Sequence, residues 1–151
     1  MNRYVNAIAI GLVVCGIARA EVTVSDAWVR ASLPQQRATG AFMKIHSNGE
    51  RLRLVGAESA VAGVAEIHEM RIENDIARMG PVAGVDIVPG ATVELRPGGY
   101  HVMLMDLHRA LEAGTEVPLV LVFEGAGGEP RRVPVTASVK PLNTRVGGHR
   151  Q

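Results

Sequence analysis

The sequence predicts a single all-β domain, a sandwich or barrel. Many short alternating or apolar runs, breaks of Gly, Pro, Asn and Asp between them, and the lack of any βαβ alternation all point that way. With 151 residues the chain is long enough for one real core. Apolar residues make up 47% but aromatics only 3%, so Val, Leu, Ile, Ala and Met must fill that core.

The first segment is not part of the fold. Residues 1–20 carry Arg3, an apolar run from about Val5 to Ala18, and a close at Ala18-Arg19-Ala20. This is the pattern of a secretory signal peptide cleaved after Ala20, too short and wrongly flanked for a membrane span. Cys15 is preceded by the bulky Val14 where a lipoprotein peptidase wants a small residue, so it is not read as a lipidation site. The folded domain is placed at 21–140. Its candidate strands are 21–30, 39–48, 52–60, 65–72, 76–79, 85–88, 92–96, 100–107, 117–124 and 131–140. Turn signals separate them at Ser47-Asn48-Gly49, Asn74-Asp75, Pro89-Gly90, Pro97-Gly98-Gly99 and Gly125 to Pro130. The stretch 108–116 has room for one helical turn. Residues 141–151 are polar, carry a Gly-Gly and read as a flexible tail.

Charge and cysteine content exclude several function classes. The formal net charge is +1, and loss of Arg3 and Arg19 with the leader turns it to −1, with no run of like charge. Nucleic acid and anionic membrane surfaces are therefore not expected partners, and no stable membrane insertion is expected. Cys15 is the one cysteine, so the mature chain has no disulfide, no thiol chemistry and no thiolate metal site.

The run Tyr100–Leu107 raises the functional question. Side chains alternate along a strand, so His101, Met103 and Met105 share one face. His68 and Met70 likewise share a face of 65–72. If Asn74-Asp75 is a two-residue hairpin loop, Glu73 pairs with Ile76, Met70 stands opposite Met79, and His68 is a diagonal neighbour of Met79. Methionine often fills core gaps and a lone histidine on an apolar face is usually a core residue. Here, however, four of the five methionines after Met1 lie between positions 70 and 105, each near a histidine. Two imidazoles with two or three thioethers form a soft, uncharged donor set that selects Cu(I) over Zn²⁺, Ca²⁺ or Mg²⁺. A blue-copper site needs a thiolate, so this pattern suits a Cu(I) carrier, with Cu(II) held more weakly.

The spacing is similar to that of a known family. His68, ten residues, Met79, twenty-one residues, His101, one residue and Met103 reproduce the His/Met signature of the periplasmic Cu(A) chaperone family, PCu(A)C. "DAWVR" (26–30), "ELRPGGYHVMLMDL" (94–107) and the 117–124 strand extend the resemblance over about residues 21–140. The resemblance implies a cupredoxin-like Greek-key β-fold with Cu(I) held by His68, Met79, His101 and Met103, and Met70 as a possible additional ligand. It further implies a periplasmic protein that carries copper, without turnover, to an acceptor such as cytochrome c oxidase subunit II at its Cu(A) site, or to a Sco-like thiol protein; a monomer is expected. Some members hold Cu(II) on a His- and Met-rich tail; this tail offers only His149 and no methionine.

His46 and His108 read as surface or loop residues, Trp28 and Phe42 as core, and "EGAGGEP" as a hairpin turn rather than a phosphate loop. Alternative functions are copper storage or tolerance, a copper-dependent oxidase or reductase, and a metal-free β-sandwich interaction module whose methionines are core.

Overall fold

The computed structural model describes residues 21–145, and among them the alternating runs form ten strands and no helix. They are β1 (Glu21–Arg30), β2 (Ala38–Asn48), β3 (Leu52–Glu58), β4 (Ala62–Glu73), β5 (Ile76–Pro81), β6 (Val85–Ile87), β7 (Thr92–Leu95), β8 (Tyr100–Leu107), β9 (Glu116–Glu124) and β10 (Pro130–Lys140). The predicted leader with Cys15, the end of the predicted tail and His149 lie outside the described residues. Among the described residues no helix is long and apolar enough to cross a membrane.

All ten predicted strands form, with ends shifted by a few residues. The stretch 108–116, which has room for one helical turn, does not form one. Leu111 is buried in the core with its N–H held by Ser32 Oγ at 2.9 Å, and Gly114 sits at φ +88°, closing a simple turn. Nine residues pinned at the middle and broken near the end cannot support helix nucleation.

The strands form one sheet in the order β5-β4-β8-β2-β1-β10-β9-β3-β6, with β7 also paired to β2. Neighbours are mostly distant in sequence: β8 lies between β4 and β2, and β10 between β1 and β9. The β1–β10 pair is parallel and the others are antiparallel. Ile67, Val102, Leu104, Met43 and Ile45 from one half of the sheet share a single buried cluster with Leu54, Leu119, Leu121 and Phe123 from the other. The sheet is thus folded over one core, and this is the cupredoxin-like β-architecture expected.

One irregularity decides what the outer face of the sheet carries. In β1, Val22 and Val24 pack toward the core, but so do Ala27 and Val29. The change of parity comes from an extra residue between Ser25 and Trp28, where Asp26 takes φ +53°. Such a bulge re-aims the side chains that follow it. Trp28 and Arg30 are thereby turned to the outer face. The Lys44 ammonium donates to Asp26 Oδ2 at 2.9 Å beside the bulge.

Candidate metal centre

On the face opposite the core, one row of side chains crosses five adjacent strands. Met70 of β4 pairs with Met79 of β5, His68 of β4 pairs with His101 of β8, and Trp28 of β1 pairs with Phe42 of β2. The register of β2 against β8 sets Gly40 opposite Met103, which brings Phe42 level with His101. Ring centroids lie 6.0 Å apart for His68 and His101, 6.1 Å for His101 and Phe42, and 4.6 Å for Phe42 and Trp28.

The hairpin that supplies Met79 has the expected register. Glu73 pairs with Ile76 and Met70 with Met79, across a loop in which Asn74 (φ 51°) and Asp75 (φ 63°) both take the left-handed conformation of a type I′ turn. Asn and Asp tolerate that conformation better than most side chains. The turn therefore fixes which face Met79 occupies.

His101 is 4% exposed, and its two nitrogens do different things. Nδ1 donates to the Gly99 carbonyl at 3.0 Å, while Nε2 lies 3.1 Å from Met79 Sδ. Burial holds the His101 pKa below the ordinary histidine value; the Gly99 hydrogen bond opposes that shift and the nearby His68 reinforces it. The ring is therefore neutral, its proton is on Nδ1, and the Nε2 lone pair faces a thioether sulfur. Two electron-pair donors this close have no hydrogen between them, and a soft cation would satisfy both.

His68 is 9% exposed. Its Nε2 meets Glu66 Oε2 at 2.9 Å. Met79 is 50% exposed and stands at the mouth of the site. Met70, Met79, His101 and Met103 line a cleft of about 300 Å³ together with Phe42, Gly40 and Arg30; His68 does not line it but stands next to His101, ring to ring at 6.0 Å. The structure thus brings His68, Met79, His101, Met103 and Met70 to one place. Met105 shares their face but sits farther along β8, opposite Ala38 and Val64. Among the described residues no three His, Cys, Asp or Glu groups converge as a hard-donor metal site.

Several neighbours of the site were not expected to be there. Phe42 and Trp28 are buried, but they stand outside the main hydrophobic cluster: Phe42 packs beside His101 and Trp28 packs on Phe42. The signal for Phe42 was present in the sequence, because the alternation Ala41-Met43-Ile45 points it outward with Lys44. Gly40 is required under Phe42: a Cβ there would meet the ring at 2.7 Å. Arg30 spans the Trp28 and Phe42 rings at 5.3 and 5.9 Å and donates to the Leu142 carbonyl at 2.7 Å. Glu66 was likewise not singled out.

The other histidines lie elsewhere. His46 is a half-buried β2 residue with Nδ1 3.2 Å from Thr92 Oγ1, not a loop residue, and exposed His108 is 3.1 Å from the Ala60 carbonyl. Met43 is the methionine found in the main core cluster, so the site methionines do not form the core of a metal-free module.

Comparison with known proteins places this geometry. Residues 22–135 match the family "Putative lipoprotein LpqE-like". The chain belongs to the LpqE-like family. It is 37% identical over 116 residues to "Putative lipoprotein Lxx21020" of Leifsonia xyli subsp. xyli (strain CTCB07), covering 76% of this chain and 69% of that one. Among solved structures it is similar to CuI-DR1885 from Deinococcus radiodurans, at 33% identity and a TM-score of 0.60 over 82% of this chain and 81% of that one. The apo PCuAC domain from PmoF1 matches at 27% identity and a TM-score of 0.63, covering 80% and 93% of the two chains. The copper-bound PCuAC domain from PmoF2, at 24% identity and a TM-score of 0.64 over 80% and 92%, shares the fold. The LpqE-like chain is thus a PCuAC-type β-domain, as the His/Met spacing implied.

Proposed function

We propose that this LpqE-like protein is a copper carrier without turnover, which binds one Cu(I) through His101, Met79, Met103 and His68, with Met70 as an adjacent donor. The observation that carries this reading is the neutral His101 Nε2 facing Met79 Sδ at 3.1 Å in a cleft walled by further thioethers. Thioether and imidazole suit Cu(I), and Cu(II) is held more weakly by such a soft set. The likeness to a protein solved in its Cu(I) form supports the same cargo. Half-exposed Met79 leaves an approach for an acceptor's thiolate, the stronger soft donor, to draw the ion out. Cytochrome c oxidase subunit II, at its Cu(A) site, or a Sco-like thiol protein fits that role.

The protein works outside the cytoplasm, as a periplasmic monomer released by cleavage after Ala20. The lipoprotein description of its family supports export and raises Cys15 as a competing processing site. The mass of the mature N-terminus decides: a chain starting at Glu21 supports the free form, and an acylated Cys15 replaces it with an anchored one. The function itself is tested by competition titration of the mature protein with a chromogenic Cu(I) chelator under reducing conditions, beside His101→Ala. One tight equivalent in the parent and a large loss in the variant is expected. A parent that takes no Cu(I) ends the carrier reading.

A further inference from the structure

Glu66 stands two residues before His68 on β4, so both side chains rise from the outer face. The register sets Glu66 opposite Met103 as it sets His68 opposite His101, which places Glu66 on the same face as the donors, at the His68 end. On the same strand Glu69 and Glu73 pair with Arg71 and Arg78, whereas Glu66 is turned onto the imidazole of His68, Oε2 to Nε2, at 2.9 Å. An ionised carboxylate can only accept, so Nε2 carries the His68 proton and the lone pair is on Nδ1. His101 shows the same arrangement with the nitrogens exchanged: its Nδ1 proton goes to the Gly99 carbonyl and its lone pair is on Nε2. Metal-binding imidazoles commonly give their second N–H to a carboxylate or carbonyl, which fixes the tautomer, orients the ring and raises its basicity.

We propose that Glu66 is a positioning residue for His68: its carboxylate fixes the Nε2–H tautomer, so that His68 takes Cu(I) through Nδ1 while His101 takes it through Nε2. The proposal rests on the copper-carrier reading above. It gives the two histidines different supports, an anionic one at His68 and a neutral one at His101. Two imidazoles and the thioethers are all neutral, so the loaded site carries the charge of Cu(I), and Glu66 offsets it from beside the metal.

The test is long-range ¹H–¹⁵N correlation spectroscopy of the histidine rings in parent, Glu66→Ala and Glu66→Gln proteins, metal-free and Cu(I)-loaded, with chelator competition on each. In the parent, His68 is expected to show a protonated Nε2 throughout and a metal-shifted Nδ1 on loading, with the opposite pattern for His101. Glu66→Ala is expected to lose the fixed His68 tautomer and roughly 10–100-fold in Cu(I) affinity. Glu66→Gln, whose amide oxygen still accepts from Nε2, is expected to keep the tautomer and lose less. Thermal unfolding of the metal-free variants checks that the fold persists. A loaded parent with metal on His68 Nε2, or a Glu66→Ala protein with unchanged tautomer and affinity, overturns the proposal alone. A parent that binds no Cu(I) removes the carrier reading and the proposal together.

Discussion

Met79 leaves half its surface in water while its sulfur lies against a buried imidazole. That is a poor position for a packing residue and a good one for a donor that must be both held and reached. Met79→Leu keeps the apolar volume and removes the sulfur. It is expected to change the stability of the metal-free protein by less than about 1.5 kcal/mol, by thermal or urea unfolding, and to lower Cu(I) affinity at least about tenfold in chelator competition. The reverse result, a large stability loss with unchanged metal binding, would return Met79 to a packing role. Gly40→Ala probes the wall behind His101. The new methyl would meet the Phe42 ring at 2.7 Å, so the ring must move, and a cost of about 1–3 kcal/mol is expected in thermal unfolding. Cu(I) affinity falls with it, because Phe42 packs beside His101. At this scale the sequence disclosed the soft donors through residue type and spacing. Glu66 was hidden because a carboxylate on a strand is ordinarily a solvated residue, and only its contact with His68 separates it from Glu69 and Glu73.

At the scale of elements, the β4–β5 hairpin carries most of the specification. Its two-residue turn demands positive φ at both positions, Asn74 and Asp75 accept it, and from that point every pair is fixed back to His68 opposite Pro81. That register was legible because the turn and the side-chain period of two determine it together. The bulge in β1 was not legible. Its cause is the backbone of Asp26 at φ +53°, and nothing in "SDAWVR" announces the extra residue, so Trp28 read as core although it lies on the site face. The hairpin yields a sharp expectation. A single glycine inserted between Asn74 and Asp75 makes Asn-Gly the favoured two-residue loop, so that Asp75 pairs with Glu73, β5 re-pairs by one position and Met79 moves to the opposite face. Cu(I) binding is expected to fall severely in chelator competition, while the far-UV spectrum and most amide protection stay near the parent's, because β5 is an edge strand outside the core. Retention of full affinity would mean that Met79 is not a required ligand.

For the whole molecule, strand positions were legible in the sequence but strand order was not. β8 sits between β4 and β2 because of non-local pairings, and a single sequence holds no record of those. Yet this order is what brings His101 beside His68, from a run more than thirty residues later, and so binding a metal at the site must stabilise the fold that assembles it. Cu(I) at a free concentration one hundred times the dissociation constant is expected to add about 2.7 kcal/mol, seen as a rise of roughly 10 °C in the unfolding midpoint. The protonation of His101 works against the same fold, and its sign follows from the direction of its shift. Burial, the leading cause, lowers the pKa in the folded protein, so the unfolded chain takes up the proton first as pH falls. Above the ordinary histidine range both states are neutral and His101 contributes no pH dependence. As pH drops through that range stability is lost, and the loss is complete once pH is below the folded value. Metal-free parent protein is therefore expected to lose more stability between about pH 7 and 5 than His101→Gln, which has no proton to take up there. The same lowered pKa keeps Nε2 available to copper at a pH where a free imidazole would already be protonated, so the His101 share of Cu(I) affinity should persist below about pH 6.5 and then decline. Parallel pH series of thermal unfolding and chelator competition read both effects. If the parent and His101→Gln follow the same stability curve, His101 is not the buried neutral imidazole on which the copper site depends.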